Sequence, residues 1–309
     1  MGKKIAFLIS DSYQDVLDQC PEFLDEFKLL QPLFTEHGVS LVKANWRNPA
    51  VHWESYDLVI PKGCWDYTEN PKEFAVFLEK MNALTVPSQN PVSVVKWNMR
   101  KTYLRDLKQR GFAVGELAIV DQGAANEKAL TEEILLTAIK KEFGRLPEQL
   151  VVKPSISAGA NDTVRIQPSE ITAHLPLFES ILKRADLILQ PFFPEIADDG
   201  EYSYFFFGGV FSHAILKRPF KGDFRAHQLF GAQNLRYDAS ADEIAQALRF
   251  VNAASAPCAY ARVDGFKRNG ILHLIELELI EPYLYFEHAP PHSPKKFVQA
   301  VLNSMRNFA

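Results

Sequence analysis

Leu274 to Pro282, "LIELELIEP", sets Glu276, Glu278 and Glu281 into an otherwise apolar run. In an extended strand Glu276 and Glu278 share one face while Leu277 and Leu279 take the other. Two like charges ~7 Å apart at an effective dielectric of ~20 repel by roughly 2 kcal/mol before desolvation. No cation lies inside the run, so the counter-charge must come from elsewhere. An earlier apolar run, "YARVD", ends in Asp264, and "KRNG" between the two has the composition of a hairpin turn. Antiparallel pairing about that turn brings Asp264 to Glu276 and Glu278, with Arg262 as a secondary neighbour. Three converging carboxylates suit Mg²⁺ that also holds substrate phosphates.

Anion-binding chemistry is spread over three other stretches. Lys153 in "VVKPS" stands at the end of a strand, where a lysine needs an anion, and "SISAGAND" follows with small residues whose N–H groups can approach phosphate. A Ser/Gly hairpin loop beside a surface lysine reads the same way, and neither G-x-x-x-x-G-K-[ST] nor G-x-G-x-x-G occurs. "LQPFFPE" places Phe192 and Phe193 where they could flank an aromatic base, with backbone at Gln190 to Phe192 for its edge. "EYSYFFFGGVFSHAILKRP" reads as a hairpin through Gly208 and Gly209 that delivers Lys217 and Arg218 to a strand end. The loop that Arg218 opens, "RPFKGDFRAHQLFG" with Arg225, has the composition of a flap over phosphate.

Elements able to position these groups alternate in the first 95 residues: "KIAFLIS", a helical stretch from about Phe23 to His37, "VSLVKANW" and "YDLVIPKG" predict a parallel α/β sheet. "NPKEFAVFLEKMNAL" predicts a helix with Asn70 as cap, Pro71 first, and Phe74, Phe77, Leu78 and Met81 facing the core. "VPSQNPVSVV" marks a boundary near residue 95, after which "KWNMRKTYLRDLKQRG" predicts one helix ending at Gly111. The expected units are 1–95, a small α+β lid over 96–189, and a strand-rich unit over 190–309, with helices near 241–254 and from Pro294.

The 309 residues are 47% hydrophobic and 23% charged with net charge −4, which predicts a globular protein with no electrostatic footprint for nucleic acid or anionic membrane. Cys20, Cys64 and Cys258 are widely spaced and lack a C-x-x-C pair, which argues against a disulfide framework or structural zinc. No apolar stretch approaches ~18 residues, and Ile5 to Ile9 is too short for a signal sequence. A cytoplasmic protein is expected, with homodimerisation left open.

In this order, "RKTYLRDL", "VVKPSISAG", "LQPFFPE", "AILKRP", "YARVD" and "ELELIEP" resemble the ATP-grasp superfamily across most of the chain. Within its glutathione-synthetase-like branch the chain is most similar to the cyclo-ligases of cycloserine biosynthesis, through "CWDYTENPKEF", "KWNMRKTYL", "KGDFRAH" and "ELELIEP". The resemblance implies an α/β (α+β) ATP-grasp fold, an N-terminal parallel module plus two α+β lobes clasping ATP. It implies that Lys101, Lys153, Ser157 and Gly159 meet ATP phosphates, that Gln190, Pro191, Phe192 and Phe193 receive adenine, and that Glu201, or else Glu195, holds the ribose. Arg218, Lys153 and Arg225 would act on the transferred phosphoryl group, His227 beside the flap could touch substrate, and Asp264, Glu276 and Glu278 would hold two Mg²⁺ ions, with Mn²⁺ as substitute. Glu281 is left to substrate orientation or structure. The implied reaction joins a small-molecule carboxylate to an amine through an acyl phosphate. Cyclisation of one substrate, ligation to a protein terminus, and ATP binding without turnover are the alternatives. Lys62, Gly63 and Cys64 depart from the Arg-Ser-Thr type of segment expected of the cyclo-ligases, so the substrate of that group is not carried over.

Overall fold

The computed structural model describes residues 2–123, 129–220 and 231–306, so Arg225 and His227 lie outside the described residues. β1 (Lys4–Ile9), β2 (Ser40–Asn45) and β3 (Leu58–Gly63) form the expected parallel sheet in the order β2-β1-β3. Ile5 to Leu8 are all buried, so β1 needs cover on both faces. Ile5 and Phe7 pack on Phe27, Leu30 and Phe34 of α2 (Glu26–Thr35). Ala6 and Leu8 pack on α3 (Pro71–Ala83), which buries Phe74, Phe77, Leu78 and Met81 as the spacing predicts. Before α2, the short α1 (Tyr13–Gln19) lies at the C-terminal end of β1.

The single helix expected from "KWNMRKTYLRDLKQRG" is two, α4 (Val92–Asn98) and α5 (Tyr103–Gln109). The break is tertiary in origin, because the Lys101 N–H leaves the helical pattern and donates to the Ser155 carbonyl at 2.7 Å. The residues after 95 also pack differently from expectation: Tyr103, Leu104 and Leu107 join the core of the C-terminal sheet rather than a lid.

A second sheet is antiparallel, in the order β4 (Ala118–Val120), β7 (Leu187–Pro191), β5 (Leu150–Pro154), β6 (Val164–Ile166). α6 (Glu132–Phe143) and α7 (Ile171–Leu182) share one core with it. The expected break between residues 189 and 190 falls inside β7, whose pairing keeps Gln190 and Pro191 opposite Val151 and Leu150. A short α8 (Pro194–Asp198) leads on to the third sheet.

That sheet is antiparallel in the order β10 (Gln233–Tyr237), β9 (Val210–Arg218), β8 (Glu201–Phe207), β11 (Tyr260–Arg268), β12 (Ile271–Glu278). α9 (Ala241–Val251) covers one face. Phe205, Phe207 and Ile215 on the other share a core with β1, β3 and α10 (Ser293–Met305), which joins the first and third sheets. No helix among the described residues is long and apolar enough to cross a membrane.

β11 and β12 pair Asp264 with Glu276 and Arg262 with Glu278, and a bulge between Asp264 and Gly265 resets the register beyond them. Gly265 is required there, since a Cβ would stand 2.4 Å from the His273 carbonyl oxygen. Gly265→Ala is therefore expected to lower stability by about 2–3 kcal/mol, measured by urea unfolding; a change below about 0.5 kcal/mol would mean that the bulge tolerates a side chain.

Candidate active site

Oxygens of Asp264, Glu276 and Glu278 lie within 4.8 Å of one another. The cations absent from the strand itself arrive from three other places. Arg262 on β11 pairs with Asp264 at 3.0 Å and with Glu278. Lys217 on β9 reaches Asp264 at 3.3 Å and Glu201 at 2.9 Å, and Lys101, between α4 and α5, reaches Glu276 at 3.1 Å. Burial opposes ionisation of Asp264, yet Arg262 and Lys217 hold its carboxyl below the ordinary value. Burial opposes the charge on Lys217 too, and Asp264 and Glu201 still raise it. Glu278 is pushed up to about 7, first by burial, with Arg262 opposing and Glu276 and Asp264 adding to the rise. A set of close oxygens with one member poorly ionised fits a further divalent cation, which would favour the charged form.

These residues line a cavity of about 490 Å³ shared by all three sheets. Lys153 enters it from β5, and among the described residues its ammonium makes no hydrogen bond or ion pair. Burial pushes it down to about 8, helped by Lys101 and opposed by Glu276 and Glu201. The Lys101 ammonium donates to the Ser157 carbonyl at 2.6 Å, tying the Ser/Gly loop to Glu276. Gly159, at φ +61°, turns that loop along the cavity wall.

Gln190 to Phe193 also line the cavity, and the buried Gln190 Nε2 has no partner among the described residues. The Phe192 N–H, expected to be open for a base edge, instead donates to the Gln149 carbonyl at 3.0 Å. Phe193 stacks on Phe266 at 4.5 Å, and the Arg165 guanidinium lies 3.7 Å over Phe192.

Comparison with known proteins gives this geometry a context. Residues 5–90 match the family model for the N-terminal domain of the D-cycloserine synthetase DcsG. The cycloserine biosynthesis protein DcsG of Streptomyces lavendulae is 28% identical over 256 residues, 80% of this chain and 83% of that one. A crystal structure of D-cycloserine synthetase DcsG superposes with TM-score 0.82 at 23% identity, over 98% of this chain and 99% of that one. D-alanine–D-alanine ligase from Bacillus anthracis, complexed with ATP, gives 0.70 at 14% identity over 99% and 98%. A RimK domain ATP-grasp protein from Sphaerobacter thermophilus gives 0.63 at 13% identity over 96% and 98%. The chain has the ATP-grasp fold.

In this ATP-grasp cleft Glu201 is half-buried beside Lys217, whereas Glu195 pairs with Arg268 at 2.5 Å and does not line the cavity. Arg218 ends β9 exposed and also lies off the cavity lining; Lys217, one residue earlier, turns inward. Lys62, a departure from the expected segment, is fully buried, bonded to Glu26 at 3.0 Å and donating to the Pro282 carbonyl.

Sequence reasoning missed the side chains that complete the free edge of β12. Tyr103 Oη accepts from the Leu277 N–H at 2.7 Å and donates to the Leu277 carbonyl at 3.0 Å. The Asn98 amide donates to the Leu277 carbonyl at 2.7 Å and accepts from the Leu279 N–H at 2.9 Å, and Asn90 Nδ2 donates to the Leu279 carbonyl at 2.7 Å. A polar side chain at a helix end, next to a lysine with no helical partner, was the available signal. Asn98→Ala strands the Leu279 N–H in a buried place, with an expected loss of about 2–4 kcal/mol in denaturant unfolding; a loss under about 1 kcal/mol would show that water or another group replaces the amide.

Proposed function

We propose that the protein is an ATP-dependent carboxylate-amine ligase acting on a small amino-acid-like or peptide substrate. The observation that carries this reading is Lys153: a half-buried lysine whose ammonium meets no anion among the described residues, in the cavity that holds the three-carboxylate cluster. A nucleotide triphosphate supplies that anion. Asp264, Glu276 and Glu278 would hold Mg²⁺, two ions or Mn²⁺ in their place, and the metal would neutralise phosphate charge. Gln190, Pro191, Phe192 and Phe193 form the adenine side and Glu201 the ribose side.

A carboxylate is a poor electrophile; phosphorylation by ATP gives an acyl phosphate, and an amine displaces the phosphate. No protein nucleophile is needed. Lys153 and Lys101 meet the phosphates, and Arg262, buried against Asp264 and Glu278, takes the charge-stabilising role expected of Arg218. Arg225, outside the described residues, would act on the transferred phosphoryl group as the resemblance implies. Three free cysteines suit a reducing compartment, and the cytoplasm is the one we propose. The match of residues 5–90 to the DcsG N-terminal domain favours intramolecular cyclisation as a second reading.

ADP and phosphate release with Mg-ATP and pooled amino acids and peptides, with mass spectrometry of products, tests the proposal: a condensed pair is expected, and a product one water lighter than a single precursor would establish the cyclo-ligase. Release independent of any acid, or none with every pool, would overturn the ligase reading. Glu276→Gln is expected to abolish turnover while the thermal midpoint stays within a few degrees; retained turnover would sink the metal assignment. Because burial pushes the free Lys153 ammonium down to about 8, a bound polyanion must raise it. Mg-ATP binding is then expected to weaken by up to about tenfold per pH unit above 8, with proton uptake seen by calorimetry in two buffers. Affinity that is flat from pH 8 to 10 would exclude Lys153 as a phosphate contact.

A further inference from the structure

Besides Lys153, Glu281 is an ionisable group of the cavity interior without a partner among the described residues. Among the described residues its carboxyl makes no hydrogen bond and no ion pair. Lys62 is the nearby cation on the N-terminal side, but its ammonium is taken by Glu26 and the Pro282 carbonyl. Burial, and then Glu278, push Glu281 well up from the ordinary carboxyl value, with Lys62 and Arg262 opposing too weakly to reverse the shift. The Tyr67 hydroxyl, in the electrostatic reach of the same carboxyl, also makes no hydrogen bond among the described residues.

The lining on the N-terminal side combines aromatic and apolar side chains with the polar Ser12, Asp66 and Thr68. Trp65, half-buried, stacks on Tyr13 with ring centroids 5.2 Å apart and planes at 16°, and Val16 and Leu17 of α1 line the same cavity. The Tyr13 hydroxyl is already bonded to Asp25 at 2.9 Å, so that wall offers ring face rather than a polar group. A carboxyl lacking a cation, a hydroxyl able to accept, and an aromatic wall together suit an ammonium carried next to a bulky apolar group. With Lys153 taken by the nucleotide, a second carboxylate would meet Glu281 and, among the described residues, no free cation.

We propose that Glu281 and Tyr67 hold the primary amine of the substrate and that Trp65 and α1 pack its side chain, so the acceptor pocket takes amino acids or peptide N-termini with a large apolar side chain. This rests on the ligase reading, and nucleotide affinity is measured separately so that the two can fail separately. The probes are phenylalaninamide, alaninamide and N-acetylphenylalaninamide, in both hands, titrated by calorimetry into the protein saturated with the non-hydrolysable Mg-AMPPNP. Phenylalaninamide of one hand is expected to bind at least tenfold more tightly than alaninamide, and the N-acetyl compound not to bind. Glu281→Gln is expected to weaken phenylalaninamide at least tenfold, and Tyr67→Phe several-fold, in variants whose thermal midpoint matches the parent. Equal binding of the acetylated compound, equal binding of alaninamide, no binding of any probe, or an unaffected Glu281→Gln variant would each overturn the proposal. Failure of Mg-AMPPNP to bind the parent protein would overturn the ligase reading beneath it.

Discussion

The pairing of β11 with β12 is the constraint on which the rest of the cleft depends. It sets Asp264 across from Glu276 and Arg262 across from Glu278, and so gathers three carboxylates on one face. Like charges ~5 Å apart at an effective dielectric of ~20 oppose one another by about 3 kcal/mol each. The hairpin cannot offset this with its own residues beyond Arg262, so other parts of the chain have to bring cations to it. Lys217 comes from β9, two strands away, and Lys101 from the break between two helices. The positions of α4, α5 and β9 therefore follow from the electrostatics of the hairpin as much as from their apolar packing.

The same hairpin leaves β12 as an edge strand, and a free edge in a buried place is costly. Asn90, Asn98 and Tyr103 replace the missing strand by bonding the backbone of Leu277 and Leu279. Because side chains alternate along a strand, fixing the backbone of Leu277 and Leu279 also fixes the direction of Glu276 and Glu278. Edge closure and carboxylate placement are thus one device. It explains why a sequence with good helical composition from residue 96 to 111 breaks in the middle: the break lets Asn98 and Tyr103 face β12 while Lys101 turns to Ser157 and Glu276.

What could be read from the sequence was whatever local pattern decides. The Leu/Glu alternation and the "KRNG" turn gave the hairpin and its carboxylates, and Gly208 and Gly209, both at positive φ, gave the turn between β8 and β9. The apolar spacing of α3 gave its buried face. The choice between Lys217 and Arg218 was not legible, because β9 is buried on both faces from Ser212 to Lys217 and shows no alternation to assign parity. The helix break, the use of the Phe192 N–H and the pairing of Lys62 with Glu26 depend on partners more than 35 residues away, which no local pattern encodes.

Counting charges in the cavity gives the last step. The cluster of Asp264, Glu276, Glu278 and Glu201 is met by Arg262, Lys217 and Lys101, and Lys62 is met by Glu26; the exposed Glu69 aside, Lys153 and Glu281 are the lining groups left without a counter-ion among the described residues. Lys153 arises on the second sheet and Glu281 lies against the N-terminal module, and both interact electrostatically with the carboxylate cluster on the third. A cavity with an unpaired lysine toward one module and an unpaired carboxyl toward another suits two ligand charges rather than one, an anion against Lys153 and a cation that would favour the ionised form of Glu281. A chain that only bound nucleotide would need the first and would gain nothing from leaving a half-buried carboxyl unpaired at the second. The strain of Glu281 is therefore better explained by a second, cationic substrate than by the nucleotide alone.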